Sequence, residues 1–84
     1  MDDDQIRGRV MRIMSGVFNV EMSALNDDSS WNSVPGWDST GQIDLIIALE
    51  REFGVAFSDE QSARLRSLGQ VVRVVAEAQA GGNP

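Results

Sequence analysis

Asp38 and Ser39 stand together at the start of an apolar segment, and their types and position are the ones in this chain best suited to chemistry. A serine hydroxyl can be esterified. The pair lies at the N-terminus of a predicted helix, where free amides and the helix dipole stabilise negative charge. Without any further pattern, the pair favours an ordinary helix start, with Ser39 as the N-cap and Asp38 as a loop acid.

The composition excludes most other active-site chemistry. The chain has no cysteine and no histidine, which removes disulfides, thiol nucleophiles, imidazole bases and the usual zinc ligands, so no metal site is expected. Its 84 residues predict a single domain, 1–84, too small to enclose a deep substrate cleft. An enzyme acting through carboxylates alone would need two of them across a cleft, and nothing in the pattern places them there. We expect that the protein is not an enzyme.

The charge pattern bears on partners and location. The net charge is −6 and every cation is an arginine, without a cluster that could neutralise a phosphate backbone. Nucleic-acid binding is therefore not expected, and an acidic surface favours basic protein partners. No apolar run is long enough to span a membrane, and the start of the chain is acidic, unlike a signal peptide. The expectation is a monomer in the cytoplasm with no membrane attachment.

Hydrophobic spacing in the first half of the chain predicts a helix followed by a long loop. Apolar residues recur every three or four positions from Ile6 to Val17, which predicts helix 1 at about 3–18, closed by Asn19. Residues 19–38 lack this periodicity and are rich in Asn, Asp, Ser, Pro and Gly, which favour turns. We expect Trp31 and Trp37 in this loop to cover the core.

Three serine-to-glutamine pairs with capping-box spacing predict the starts of the remaining helices: Ser39 with Gln42, Ser58 with Gln61, and Ser67 with Gln70. Gly54 ends helix 2 at about 39–53, and helices 3 and 4 are expected at about 59–65 and 68–79, before a flexible tail, 80–84. The predicted fold class is all-α, a four-helix bundle with a long loop between helices 1 and 2 and a short helix 3. The expected core comprises Ile6, Val10, Ile13, Val17, Leu45, Leu49, Phe53, Val55, Leu65, Leu68, Val71 and Val75.

Helix 2 carries more apolar surface than packing requires. On a helical wheel its apolar arc spans about 200°, whereas a surface helix needs about 100° to cover a core. Ile43 and Ile47 lie on the Ser39 side of this arc and are expected to be exposed, with Asp44 and Glu50 as flanking charges. A serine beside an exposed apolar stripe with acidic edges is typical of a docking surface.

Two segments together resemble the acyl carrier protein family: residues 36–40 (Gly-Trp-Asp-Ser-Thr) and residues 43–55 (Ile-Asp-Leu-Ile-Ile-Ala-Leu-Glu-Arg-Glu-Phe-Gly-Val). The family pattern is an Asp-Ser pair, an amphipathic helix ending in Leu-Glu-x-x-Phe, and a turn into two shorter helices. The resemblance covers essentially the whole chain, which makes it far more specific than an Asp-Ser dipeptide.

The resemblance implies that Ser39 receives 4'-phosphopantetheine from coenzyme A. A phosphopantetheinyl transferase would supply the magnesium and the general base, and Asp38 would help it hold the metal. Acyl groups would then be carried as thioesters for acyl-loading and acyl-processing enzymes such as an acyltransferase, a ligase or a ketosynthase. The positions implied to contact these partners are Thr40, Ile43, Asp44, Ile47 and Glu50, and Glu52 is either a further contact or a solvated charge.

The chain also departs from the family pattern. Fatty-acid carriers often have Leu after the serine and more acids along the helix, where this chain has Thr40, Gly41, Gln42 and Arg51. This favours a carrier of a specialised pathway, for instance a polyketide pathway, over one of fatty-acid synthesis. Gly41 costs helix stability by up to about 1 kcal/mol relative to Ala, and close approach of a partner is one reason for it.

Three alternatives stay open, the first of which is a carrier of fatty-acid synthesis. An aminoacyl or peptidyl carrier would use the same arm, but such carriers usually have glycine where this chain has Trp37 and Asp38. An unmodified helical interaction module would instead bind one protein through Ile43 and Ile47.

Overall fold

The computed structural model describes residues 2–81. This part of the chain contains α1 (Asp3–Phe18), a 3-10 turn (Met22–Ala24), α2 (Ser39–Phe53), α3 (Asp59–Ala63) and α4 (Leu68–Gly81). Its β structure is one isolated bridge, between Ser30 and Ser67. The predicted all-α, four-helix fold with a long first connection and a short third helix is confirmed, and the Cα radius of gyration is 11.7 Å.

Helix α1 has a capping box at its start and a left-handed residue at its end. The Asp2 carboxylate accepts from the Gln5 N–H at 2.9 Å, and the Gln5 side chain accepts from the Asp2 N–H at 3.1 Å. Asn19 ends the helix with φ 55°, as predicted. The helix is therefore bounded by local interactions that the sequence alone specifies.

The last two helices differ from their expected bounds. The capping box of Ser58 and Gln61 is present at the start of α3, but the helix stops at Ala63, because Leu65 turns into the core and is 1% exposed. Helix α4 continues through Ala80 and Gly81, which the sequence assigned to a flexible tail. Alanine is the strongest helix former, so nothing local ends α4 at residue 79. The rest of the predicted tail, 82–84, lies outside the described residues.

The core lies where α1 packs against α2 and α4. Along α1 the buried residues are spaced by four, which places Met14 and Phe18 inside and leaves Ile13 and Val17 only partly buried at the edge. Val55 is likewise only partly buried, so three of the expected core residues lie at the margin of the core. The buried hydrophobic residues are Ile6, Val10, Met14, Phe18, Leu25, Val34, Trp37, Leu45, Leu49, Phe53, Leu65, Leu68, Val71, Val72, Val74, Val75 and Ala78.

The long first loop is attached to the start of α4 by backbone hydrogen bonds. The Leu68 N–H donates to the Ser29 carbonyl at 2.8 Å, and the Gly69 N–H donates to the Asp27 carbonyl at 3.1 Å. The loop buries Trp37, but Trp31 is 52% exposed, so the expectation that both tryptophans cover the core is wrong for Trp31. Trp31 lies in a hydrogen-bonded turn over residues 30–34, in which Val34 rather than Trp31 is buried.

Two further properties concern the described part of the chain as a whole. None of the helices within residues 2–81 combines the length and the apolarity that crossing a membrane requires. In the same residues, no three carboxylates come together in a way that could hold a metal ion.

Candidate functional site

Ser39 is the first residue of α2, and Asp38 is its N-cap. The Asp38 Oδ1 accepts from the Gly41 N–H at 2.9 Å, which leaves the Ser39 hydroxyl out of the N-terminal hydrogen bonds of the helix. The predicted capping box of Ser39 with Gln42 is therefore wrong, since the residue before the serine makes the cap. The consequence is an exposed hydroxyl at a helix N-terminus with no capping duty.

The Gln42 side chain joins three parts of the fold. Its Oε1 accepts from the Trp37 indole N–H at 2.6 Å, and its Nε2 donates to the Ser62 and Leu65 carbonyls at 3.3 and 3.2 Å. Trp37 in turn stacks on Phe18, with ring centroids 5.4 Å apart. These contacts fix the start of α2 against the loop and against the segment between α3 and α4. The capping-box spacing of Ser39 and Gln42 does not indicate this role.

Gly41 lies against the backbone of the preceding loop. A Cβ at this position would come 2.0 Å from the Gly36 carbonyl oxygen and 2.9 Å from the Phe18 ring. The glycine thus permits close packing inside the protein, which corrects the expectation that a partner approaches there. Gly36, with φ 87°, is the turn residue that brings its carbonyl to this place.

An open groove of about 490 Å³ lies beside Ser39. We name it the Ser39 groove. Its lining is largely apolar, with charged side chains from Asp38, Asp59 and Arg66. The other lining residues are Trp31, Trp37, Ser39, Gln42, Ile46, Ser62, Ala63 and Leu65. Within residues 2–81, no buried side-chain nitrogen or oxygen lacks a hydrogen-bond partner, so the groove has no orphaned polar atom in its walls.

The outer face of α2, defined here as Thr40, Ile43, Asp44 and Ile47, is exposed to solvent. Ile43 and Ile47 are 59% and 44% exposed, which confirms their predicted exposure. Their role in binding partners stays a prediction.

Two acids near this face have contacts within the protein. The Glu50 Oε2 accepts from the Phe57 N–H at 2.8 Å, which holds the connection between α2 and α3. Glu52 pairs with Arg9 of α1 at 3.5 Å. Among the predicted contact acids on α2, Asp44 is the more exposed, whereas Glu50 is half-buried.

Comparison with known proteins identifies the family. The family model described as "Phosphopantetheine attachment site" matches residues 8–75, which is more than half of the chain and includes Ser39. The chain belongs to the acyl carrier protein family. It is 32% identical to acyl carrier protein 2 of Pseudomonas aeruginosa over 75 residues, which cover 89% of this chain and 95% of that protein. It is 30% identical to the acyl carrier protein of Prochlorococcus marinus, again over 75 residues, covering 89% and 94%.

The acyl carrier fold is also seen in a solved structure. The solution NMR structure of holo acyl carrier protein from Geobacter metallireducens matches with a TM-score of 0.79 and 24% identity, covering 90% of this chain and 87% of that one. At this identity the match supports the fold.

Membership in the family defines the cofactor and the kind of activity. The cofactor is a covalently attached phosphopantetheine group, and the protein is a carrier rather than an enzyme, with enzymes of acyl pathways as its partners. The start of α2 fits such a group, because it offers an exposed hydroxyl at a helix N-terminus with the Ser39 groove alongside.

Proposed function

We propose that Ser39 is the attachment residue and that the protein carries acyl groups as thioesters for separate enzymes. The observation that carries this proposal is the division of roles at the start of α2, where Asp38 makes the cap and the neighbouring hydroxyl is exposed and free to react. Ser39 also lies within the region matched by the family model. When attached, the group supplies a terminal thiol, a nucleophile that this cysteine-free chain lacks.

The attachment step uses little chemistry from the carrier itself. The Ser39 oxygen would bond to the pyrophosphate phosphorus of coenzyme A that bears the pantetheine, and the P–O bond between the two pyrophosphate phosphorus atoms would break. Adenosine bisphosphate would leave, and the hydroxyl proton would pass to the base of a phosphopantetheinyl transferase. Asp38 is exposed, and one of its oxygens is used by the Gly41 N–H. Its other oxygen would be available to help the transferase hold a magnesium ion. The product phosphodiester is stabilised by the amides at the N-terminus of α2.

The outer face of α2 is the surface we propose for docking. Exposed isoleucines next to an exposed acid offer an apolar centre with a charged rim, which suits transient binding to a basic enzyme surface. Acyltransferases, ligases and ketosynthases are the kinds of partner that would load or use the thioester. Glu50 contributes to this surface less directly, since its carboxylate also holds the Phe57 N–H.

A specialised pathway, such as a polyketide pathway, is our proposal for the setting, and fatty-acid synthesis is the alternative. Gly41 and Gln42 no longer support this choice, because both have packing roles inside the protein. Thr40 and Arg51 still support it, because they leave the exposed side of α2 less acidic than in many fatty-acid carriers. We propose a cytoplasmic monomer.

Intact-mass measurement tests the attachment residue. Incubation with coenzyme A, magnesium and a transferase of broad specificity should add the mass of one phosphopantetheine to the wild type and to a Ser23→Ala control, which removes another exposed serine hydroxyl. The Ser39→Ala variant should gain nothing while keeping its stability, since Asp38 makes the cap. An unmodified wild type, or a modified Ser39→Ala variant, would contradict the proposal. The mass of the cargo on protein purified from its native host would then identify the pathway.

A further inference from the structure

Trp31 is the exposed aromatic residue of the Ser39 groove. It is 52% exposed, whereas Trp37, which lines the same groove, is 2% exposed and already stacked on Phe18. An isolated exposed hydrophobic side chain needs no explanation. This one, however, forms part of the wall of the groove that begins at the proposed attachment residue.

The backbone around Trp31 is held by a dense set of hydrogen bonds. The Ser33 and Val34 N–H groups donate to the Ser30 carbonyl at 2.9 and 2.8 Å. The Ser30 N–H donates to the Ser33 hydroxyl, and the Asn32 N–H to the Ser30 hydroxyl, at 3.0 and 3.3 Å. The bridge from Ser30 to Ser67 ties this turn to the start of α4. The backbone that carries the indole is therefore an ordered turn beside the groove.

The walls of the groove favour an apolar occupant. The polar atoms of Gln42 are already bonded to Trp37, Ser62 and Leu65, so they are not free for a ligand. Ile46, Ala63 and Leu65 add apolar surface. A volume of about 490 Å³ is in the range that takes a small organic group. Any occupant tethered to Ser39 would be present at a high effective concentration, so a weak contact suffices to hold it.

We infer that Trp31 is a positioning residue, whose indole packs on an apolar acyl group carried by the arm on Ser39 and shields its thioester from water. The inference rests on the proposed attachment at Ser39. An aromatic ring adds area and a flat polarisable face to the groove, so longer apolar acyl groups gain more from the contact than short ones. Trp31 thereby biases the carrier toward apolar cargo.

Fluorescence quenching tests the contact directly. Apo protein would be loaded through a transferase with octanoyl-coenzyme A or acetyl-coenzyme A, and intact mass would establish full loading. Acrylamide reaches the exposed Trp31 far better than the buried Trp37, so the quenching constant reports mainly on Trp31. We expect the constant to fall on octanoyl loading and to fall less on acetyl loading. An equal constant for apo and fully octanoyl-loaded protein would overturn the inference.

Thioester cleavage by hydroxylamine gives a second measurement. For the octanoyl form, Trp31→Ala should raise the cleavage rate by roughly 2- to 10-fold, the size expected for loss of one aromatic contact. Trp31→Phe should retain most of the protection. Met22→Ala is the matched control, because Met22 is an exposed apolar residue of the same loop that does not line the groove. Equal rates in the wild type and Trp31→Ala would overturn the role of Trp31, whereas absence of loading would overturn the attachment itself.

Discussion

At the scale of single residues, neighbouring side chains at the start of α2 have separate tasks. Asp38 holds the first turn through the Gly41 N–H, and Ser39 presents its hydroxyl without contributing to the cap. The carrier can therefore have its hydroxyl esterified without losing a hydrogen bond that the helix needs. An N-capping serine at this site would instead couple modification to helix stability.

Two variants of Asp38 separate its structural role from its proposed metal contact. Asp38→Ala should lower the free energy of unfolding by about 1 kcal/mol, because the helix loses its cap. Asp38→Asn should keep most of that stability, since Asn caps as well as Asp, but should slow modification by the transferase because it removes the carboxylate charge. Urea denaturation and intact-mass time courses measure the two effects. Wild-type modification rates in Asp38→Asn would argue against the metal contact.

Gly41 provides a test of internal packing against helix propensity. Gly41→Ala should lower the free energy of unfolding by about 1–3 kcal/mol, because its Cβ meets the Gly36 carbonyl and a rigid backbone cannot move aside cheaply. Gly8→Ala, in α1 with nothing within 4 Å of its Cβ, is the matched control and should stabilise by up to about 1 kcal/mol. Urea denaturation compares them. Equal stabilisation by both substitutions would show that Gly41 is not packed as described.

At the scale of elements, periodicity and local capping signals predicted what depends on neighbours in the sequence. The apolar spacing of α1, the left-handed Asn19 and the capping box of Ser58 with Gln61 are of this kind. The burial of Gly41 depends instead on contacts with Gly36 of the loop and with Phe18 of α1, which lie outside its own helix. Gln42 shows most clearly what local spacing cannot predict. Its spacing from Ser39 suggests a capping box, but its side chain bonds instead to Trp37 and to the carbonyls before α4.

The candidate site likewise has features that the sequence predicts and features that it does not. The Asp-Ser pair and the exposed isoleucines were predictable, because a helix whose apolar arc exceeds its contact with the core must expose the remainder. The Ser39 groove was not predictable from the sequence. Its walls come from the loop, from α2 and from the segment around α3, and no sequence pattern gives the distances between these three segments.

The outer face of α2 can be tested apart from the fold. Ile47→Ala should reduce the transferase kcat/KM by about 5- to 30-fold if Ile47 is a central contact, while the free energy of unfolding changes little, since the side chain is 44% exposed. Met22→Ala, which truncates an exposed apolar side chain in the 3-10 turn without changing the charge, is the control and should leave kcat/KM unchanged. Steady-state kinetics measure the transferase kcat/KM of each variant, and urea denaturation shows that their free energies of unfolding are similar. An unchanged kcat/KM for Ile47→Ala would exclude this residue from the contact with the transferase.

At the scale of the whole molecule, ion pairs join the elements at the surface. Arg7 binds Asp27 through two hydrogen bonds of 3.0 and 3.2 Å and ties α1 to the long loop. Arg64 binds Glu77 and ties the end of α3 to α4, and this hydrogen bond lowers the pKa of the Glu77 carboxyl. Each of these pairs uses one acid for one arginine, so the net charge of −6 is carried by acids that have no such partner.

The dependence of transferase association on salt distinguishes overall charge from a defined docking surface. Association with a basic partner should be fast and should slow as salt screens the attraction. Asp44→Asn and Glu21→Gln each remove one exposed negative charge, the first on the outer face of α2 and the second in the long loop. If docking uses the outer face, Asp44→Asn should lower both the association rate and its salt dependence more than Glu21→Gln does. Stopped-flow measurements over a range of salt concentrations compare them, and equal effects would mean that the partner responds to net charge rather than to this face.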